Sequence, residues 1–358
     1  MRILIDIGHP AHVHFFKYFI REMQARGHEL LVTARDKDVA VRLLEAYGIK
    51  HTVIGRIGKG KLNLIREWLG RDLRIYAISR EFRPDILTGI NNPCAAHAAR
   101  LTQAKSIIFN DSELGGLGNR VTHPFASIIC TPSCFTKDLG GKHVRYNGCH
   151  ELAYLHPDYF TPDPTVLKEM RINEDERFFI VRFVAWSANH DVWRRGFDLQ
   201  GKRKLVAELE KYARVFITSE SPLREEFEKY RITIAPEKIH DLLYYASLLI
   251  GDTQTMTTEA AVLGTPAIRC NSFAGPNDMG NFIELEDKYG LIYSFREHDK
   301  AIQKAVELIR QPDLKEQWQA KRERLLRDKI DVTRFMVNFI ENYPESLKKY
   351  KQENRLLK

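Results

Sequence analysis

Gly251-Asp252-Thr253-Gln254-Thr255-Met256-Thr257-Thr258-Glu259-Ala260-Ala261-Val262-Leu263-Gly264-Thr265-Pro266 decides how this chain is read. The apolar run Leu248-Leu249-Ile250 before it predicts a buried strand, and a hydroxyl-rich turn follows. A short helix comes next, with Met256, Ala260 and Leu263 spaced to face a sheet. Gly264 suits the position after the last helical residue, Pro266 prevents continuation, and Pro266-Ala-Ile-Arg-Cys starts a further strand. A polar strand–turn–helix leaves backbone N–H groups open at a helix N-terminus, where they and the helix dipole can hold a phosphate or diphosphate. Glu259, about one turn inside, could accept hydrogen bonds from sugar hydroxyls. The same residues also read more simply, with Asp252 or Thr253 as an N-cap and Glu259 as an acid favoured near the positive end of a helix.

The remainder of the chain bears on that choice. Its 358 residues exceed what one hydrophobic core usually serves, so two domains are expected. At 44% hydrophobic and 28% charged residues the composition is that of a globular protein, and the net charge of +8 suits anionic ligands. No compact block of Lys and Arg interleaved with aromatics speaks for specific nucleic-acid binding. Lys348-Lys349-Tyr350-Lys351 reads as a frayed tail. The five cysteines, Cys94, Cys130, Cys134, Cys149 and Cys270, are odd in number and scattered, which argues against a disulfide framework and for thiols in a reducing cytosol. No signal peptide and no transmembrane stretch is visible, so a cytoplasmic protein is expected, and any membrane contact would be peripheral.

Strands and helices alternate throughout. Strands are expected at 2–7, 29–33, 51–54, 85–88, 106–109 and 126–130, with helices at 10–26, 37–47, 62–80 and 94–101. Proline-rich 156–164 reads as a linker, because proline suits neither helix nor central strand. Beyond it come a strand at 178–184, a helix at 202–212, a strand at 215–218 and helices at 222–229 and 240–246. The decisive segment follows, and then helix from 299 to near 343. The pattern predicts α/β architecture: two Rossmann-like, doubly wound domains facing a cleft, spanning 1–160 and 161–330. Open parallel sheets bind ligands beyond the carboxyl ends of their strands, so the loops at 8–14, 110–119, 184–191 and 251–255 are the candidate sites.

Gly8-His9-Pro10-Ala11-His12-Val13-His14 follows the first strand. Gly8 permits close backbone approach, and a neutral histidine at a helix start could be a general base toward a hydroxyl. His12-x-His14 also has metallohydrolase spacing, but no further ligand stands at a strand end of the same domain, and at least one of the three histidines is expected only to cap or pack. Asp111 and Glu113, beyond another strand end, could orient a base, bind hydroxyls or abstract a proton. Arg182 lies in an otherwise apolar strand and needs an acidic side chain or a ligand phosphate beside it. Ser187 and His190 are candidate ligand contacts in the loop that follows. His240 opens the helix before the hydroxyl-rich turn. There is no Walker A sequence, no Gly-x-Gly-x-x-Gly after the first strand and no Asp-x-Asp pair for a divalent ion, so no metal and no separate cofactor are expected.

Over nearly its whole length the chain resembles the GT-B superfamily of nucleotide-sugar glycosyltransferases and non-hydrolysing nucleotide-sugar 2-epimerases, and most closely the family catalogued as domain of unknown function 354. Gly8-His9-Pro10-x-His12-Val13, Asp111-x-Glu113, Gly148-x-x-Glu151-Leu-Ala-Tyr-Leu155, Arg182-Phe183, His190-Asp191 and Gly251 through Pro266 carry the likeness. The resemblance implies that the second domain binds the nucleotide, with Thr253-Gln254-Thr255 at the diphosphate and Glu259 at the ribose. Gly8, His9, Arg182, Ser187, His190 and His240 would be further nucleotide contacts, and the resemblance also implies that terminal helices at 331–358 cross back to the first domain. Two features depart from the epimerases: Gln254-Thr255 stands in place of a glycine pair, and Gly8-His9-Pro10 in place of an arginine-bearing loop. The expectation is therefore a metal-independent glycosyltransferase using a nucleotide-diphosphate sugar, a UDP-sugar, as substrate. His12, or failing it His14, would act as base, and Asp111 or Glu113 would orient it. The acceptor would be a lipid-linked or polysaccharide glycan. A UDP-N-acetylhexosamine 2-epimerase and a silent nucleotide-sugar-binding protein are the alternatives.

Overall fold

The computed structural model describes residues 1–56, 61–184 and 196–356. It divides into one unit formed by Met1–Tyr154 with Ile330–Lys358 and a second formed by Leu155–Lys329.

The first unit is built on seven parallel strands: β1 (Arg2–Ile7), β2 (Glu29–Asp36), β3 (Thr52–Arg56), β4 (Ile86–Ile90), β5 (Lys105–Phe109), β6 (Ile128–Pro132) and β7 (His143–Tyr146). Their order across the sheet is β3-β2-β1-β4-β5-β6-β7. Strands covered on both faces read as continuous apolar runs, and Ile3, Leu4, Ile5 and Ile7 are all fully buried. The order reverses between β1 and β4, so the crevice at their carboxyl ends is where an open sheet of this kind takes a ligand. Helix Pro10–Ala25 leaves β1 at this point, with proline in its first turn and His9 Nδ1 accepting from Ala11 N at 3.2 Å. Ile330–Lys358 adds two helices, Val332–Glu341 and Glu345–Leu356, to this unit. Thr333 donates to the Ala153 carbonyl at 2.8 Å, and Arg26 pairs with Glu341 at 2.9 Å. Lys348 to Lys351 are therefore not a frayed tail. They lie on a helix whose Tyr350 hydroxyl accepts from Arg145 N at 2.8 Å.

The second unit holds five parallel strands: β8 (Phe178–Phe183), β9 (Arg214–Ser219), β10 (Leu248–Gly251), β11 (Ala267–Cys270) and β12 (Ile292–Phe295), in the order β12-β11-β10-β8-β9. Its reversal falls between β8 and β10. There Gly251 pairs in register with Arg182, and a Cβ on Gly251 would stand 2.2 Å from the Arg182 carbonyl oxygen. Helix Thr255–Leu263 does not lie on the sheet by one face. Every residue from Met256 to Leu263 is buried, because helices Ile239–Tyr245 and Leu314–Asp328 cover its other sides. Each such Val or Leu contributes about 1.5–3 kcal/mol of transfer free energy. Gly264 ends the helix at φ +74, and Thr265 N returns to the Ala260 carbonyl at 2.8 Å. Arg322 Nε satisfies the Val262 carbonyl at 2.9 Å.

Candidate functional site

The hydroxyl-rich turn of the second unit is shaped by Asp252. This residue is buried, and its carboxylate accepts from Val184 N at 2.7 Å, so it ties the end of β8 to the end of β10 and does not cap the helix. Gln254 occupies the N-cap position without a side-chain cap bond. Among the described residues, no acceptor meets the N–H groups of Thr255 and Met256, the expected state of a helix's first turn. The Gln254 amide nitrogen and the Thr258 hydroxyl are likewise buried without a hydrogen-bond partner. Thr253 is buried, and its carbonyl accepts from the Thr257 hydroxyl at 2.9 Å. Thr255 is half-buried at the helix start. The turn thus presents donors, and a helix dipole adds positive potential to them.

Glu259 and His240 meet behind the turn. Both are buried, with His240 Nε2 2.9 Å from Glu259 Oε1. His240 does not cap its helix; its ring stands edge-on to Phe160 at 6.4 Å. On the adjoining strand Arg182 donates to the Thr218 hydroxyl at 2.9 Å and to Glu220 at 3.0 Å, so an acid supplies the partner its half-buried charge requires. At the same carboxyl edge a cavity of about 480 Å³ is lined by Asp198, Gly201, Lys204, Arg296 and His298, within the size range of small-molecule sites. Ser187 and His190 lie outside the described residues.

In the first unit the three histidines separate by environment. His9 caps its helix. His14 is buried, stacked on Tyr154 at 5.4 Å and bonded to the Tyr47 hydroxyl at 3.2 Å, so its ring serves packing. His12 is half-buried, and its Nδ1 accepts from Gly8 N at 3.3 Å. Burial, and then the charges of His9 and Lys37, hold its pKa well below the ordinary 6.5, so the ring is neutral at physiological pH. Asp111 does not orient His12. It pairs at 3.4 Å with Nδ1 of His150, a buried ring whose Nε2 has no partner among the described residues. Glu113 is buried, and its carboxylate accepts from Thr136 N at 2.9 Å, which fixes the loop it belongs to. Among the described residues, no group of three or more His, Cys, Asp or Glu is placed to hold a metal ion.

A family model for a protein of unknown function, DUF354, matches residues 1–345. The chain belongs to the DUF354 family. A relative, the uncharacterized protein MJ0665 of Methanocaldococcus jannaschii, is 24% identical over 281 residues, covering 75% of this chain and 81% of that protein. Among solved structures, the complex of MnaA with UDP from S. aureus is similar at a TM-score of 0.69 and 12% identity, over 96% of this chain and 97% of that one. UDP-GlcNAc 2-epimerase from Neisseria meningitidis, bound to UDP-GlcNAc, gives 0.64 and 13% over 98% and 100%. The spinosyn rhamnosyltransferase SpnG with its aglycone gives 0.58 and 13% over 96% and 100%. At such identities the likeness is one of fold, and this DUF354 chain has the GT-B fold of two Rossmann-like units.

Sequence reasoning missed two groups in this DUF354 chain. Asp6 is fully buried in β1 and receives Arg71 at 2.6 Å, Asn92 at 2.7 Å and Thr33 at 2.8 Å, a network that braces the β1–β4 reversal. An acidic or basic residue type in an apolar strand was the available signal, the same one that drew attention to Arg182. His150 gave a weaker signal, because nothing in its own segment marks it as the partner of Asp111.

Proposed function

We propose that this protein is a metal-independent glycosyltransferase that takes a nucleotide-diphosphate sugar, a UDP-sugar, on its second unit and an acceptor hydroxyl on its first. The observation that carries this reading is the turn at 253–255, a buried helix start with open amide donors backed by the His240–Glu259 pair. The amides of Thr253 to Thr255 would receive the diphosphate and Glu259 the ribose. Arg182, the register partner of Gly251, would set its positive charge against the negative charge that develops on the departing diphosphate. A well-placed donor of this kind lowers a barrier by about 3–4 kcal/mol.

In the reaction the acceptor oxygen bonds to the anomeric carbon, the bond from that carbon to the diphosphate oxygen breaks, and its electron pair leaves with the diphosphate. The acceptor proton passes to His12. Accessibility favours His12, whereas tautomer favours His150. With Nδ1 facing the Gly8 amide, neutral His12 carries its proton on Nε2 and must release a long 3.3 Å contact to act as base. His150 has the complementary arrangement, with Nδ1 toward Asp111, but its Nε2 is enclosed. The acceptor class we infer is a lipid-linked or polysaccharide glycan, and peripheral contact with a membrane belongs to the same reading.

The test combines calorimetry with UDP and incubation with UDP-sugars. Binding of UDP that is weakened by Thr255→Pro, together with acceptor-dependent release of UDP, supports transfer. The second reading, a 2-epimerase, is favoured by the higher fold similarity to the epimerase from N. meningitidis than to SpnG. Conversion of a UDP-sugar to a stereoisomer without acceptor would replace transfer with epimerisation.

A further inference from the structure

The five most exposed large apolar side chains among the described residues lie on one stretch of the first unit: Leu73 at 69%, Leu117 at 68%, Leu101 at 67%, Leu69 at 56% and Phe125 at 46%. Arg66, Leu69, Leu73, Ala77 and Arg80 recur at steps of three and four along helix Lys61–Phe82, so they share one face, and all five are exposed. Leu101, on helix Pro93–Thr102, lines a surface hollow with Tyr76 and Arg80. His97 links the remaining elements. Its Nδ1 is 3.0 Å from Asp72, its ring stands edge-on to Phe125 at 4.6 Å, and its Nε2 is 2.9 Å from the Val121 carbonyl at the end of helix Gly116–Thr122, which carries Leu117. The apolar side chains therefore sit on neighbouring elements held to one another.

The charges around them are arginines. Arg66, Arg80, Arg100 and Arg120 are exposed. The acids Glu67 and Asp72 are bonded to Arg35 at 2.6 Å and to His97, which leaves Glu81 in the last turn as the one exposed acid of helix Lys61–Phe82. Leucines interleaved with arginines fit a surface that is apolar below and anionic above. Apolar side chains can bury themselves at the acyl boundary while guanidinium groups stay at the phosphates. No described helix is long and apolar enough to cross a membrane, so contact of this kind is interfacial.

We propose that this face docks on an anionic lipid surface. It gives a lipid-linked acceptor its place, and for that purpose alone it rests on the transferase reading. Sedimentation with vesicles uses neither donor nor turnover, so failure of one proposal leaves the other standing.

The test is co-sedimentation of the full chain with vesicles of equal parts phosphatidylcholine and phosphatidylglycerol, and with phosphatidylcholine alone. The chain is expected to pellet with the mixed vesicles and not with the neutral ones. Leu69→Gln with Leu73→Gln should weaken partitioning about tenfold, because buried apolar area is lost. Arg66→Gln with Arg80→Gln should weaken it by a similar factor and flatten its salt dependence. Both pairs are exposed, so an unchanged melting curve is expected and confirms the fold. Lys348→Gln with Lys349→Gln, on another part of the same unit, should leave binding unchanged. Absence of wild-type binding, equal binding by the leucine variant, or loss only in the lysine variant would each overturn the proposal. So would a dimer of the wild-type chain that the leucine substitutions dissociate in sedimentation velocity, since the face would then be a self-interface.

Discussion

Glu259 shows how burial changes the meaning of a substitution. As a residue of a binding turn, it invites replacement by alanine to test nucleotide affinity. As a buried partner of His240, it cannot be removed without leaving an imidazole nitrogen unsatisfied, at a cost of about 1–3 kcal/mol. Glu259→Ala is therefore expected to lower stability in urea as well as affinity. Glu259→Gln keeps an acceptor for His240 and should hold the melting temperature while weakening UDP binding about tenfold in calorimetry. Unchanged UDP affinity in the glutamine variant would remove Glu259 from the site. The histidines divide in the same way. His12→Ala should abolish turnover and spare both UDP affinity and stability. His14→Ala should cost about 2 kcal/mol of stability, because the ring leaves its stack on Tyr154 and its bond to Tyr47. Since the pKa of His12 is pushed down by burial, its basic form persists into acid. The acidic limb of kcat/KM should then fall well below pH 6.5, and a limb at or above that value would assign the base elsewhere.

At the scale of elements, the strands were the most legible part of the chain, because parallel strands covered on both faces write themselves as apolar runs. β1 occupies the expected residues, and β10 and helix Thr255–Leu263 follow the reading of the decisive segment closely. Short edge elements were illegible. β7 and β12 carry polar residues at alternate or terminal positions, and helix Gly116–Thr122 begins in a glycine pair, so none shows a clear period. The helical run expected from 299 to 343 is three helices, with a fourth beyond, and the breaks fall at Gln311-Pro312, Lys329-Ile330 and Tyr343-Pro344. The all-round burial of helix Thr255–Leu263 also lay beyond local pattern, because its second cover comes from helix Leu314–Asp328, far along the chain. The β8–β10 seam yields a sharp prediction. Any side chain at Gly251 meets backbone of the neighbouring strand and not a flexible tip, so the strands themselves must part. Gly251→Ala should cost about 1–3 kcal/mol in urea unfolding and weaken UDP binding, because the turn hangs from that seam. A variant as stable as the wild type would show that the seam can yield.

For the whole molecule, two α/β units could be read from alternation and the returning terminal helices from the GT-B resemblance, but the distribution of charge between them could not, because it depends on which histidines are enclosed. In the first unit burial lowers the pKa of His12, His150, His143 and His123, the last to about 4 with help from Lys142. For each, the unfolded chain takes up a proton near pH 6.5 while the folded chain resists until the pH is lower. Their contribution to stability is complete above that pH and is lost as pH falls below it. His97 acts in the opposite sense. Its hydrogen bond to Asp72 raises its pKa, so its contribution is present in acid and lost as pH rises, but one partly exposed ring does not offset four. In the second unit burial raises the pKa of Glu286 above the ordinary 4.5, so acid relieves a charged carboxylate there. The first unit should therefore lose roughly 2–4 kcal/mol of stability between neutral pH and about pH 5, and the second should lose less. Hydrogen exchange followed by mass spectrometry, corrected for the intrinsic pH dependence of exchange, locates the loss. Protection should fall first in β1, β4, β5 and β6, while β8, β10 and β11 hold. Earlier loss in the second unit would mean that some group other than these buried imidazoles governs the response to acid.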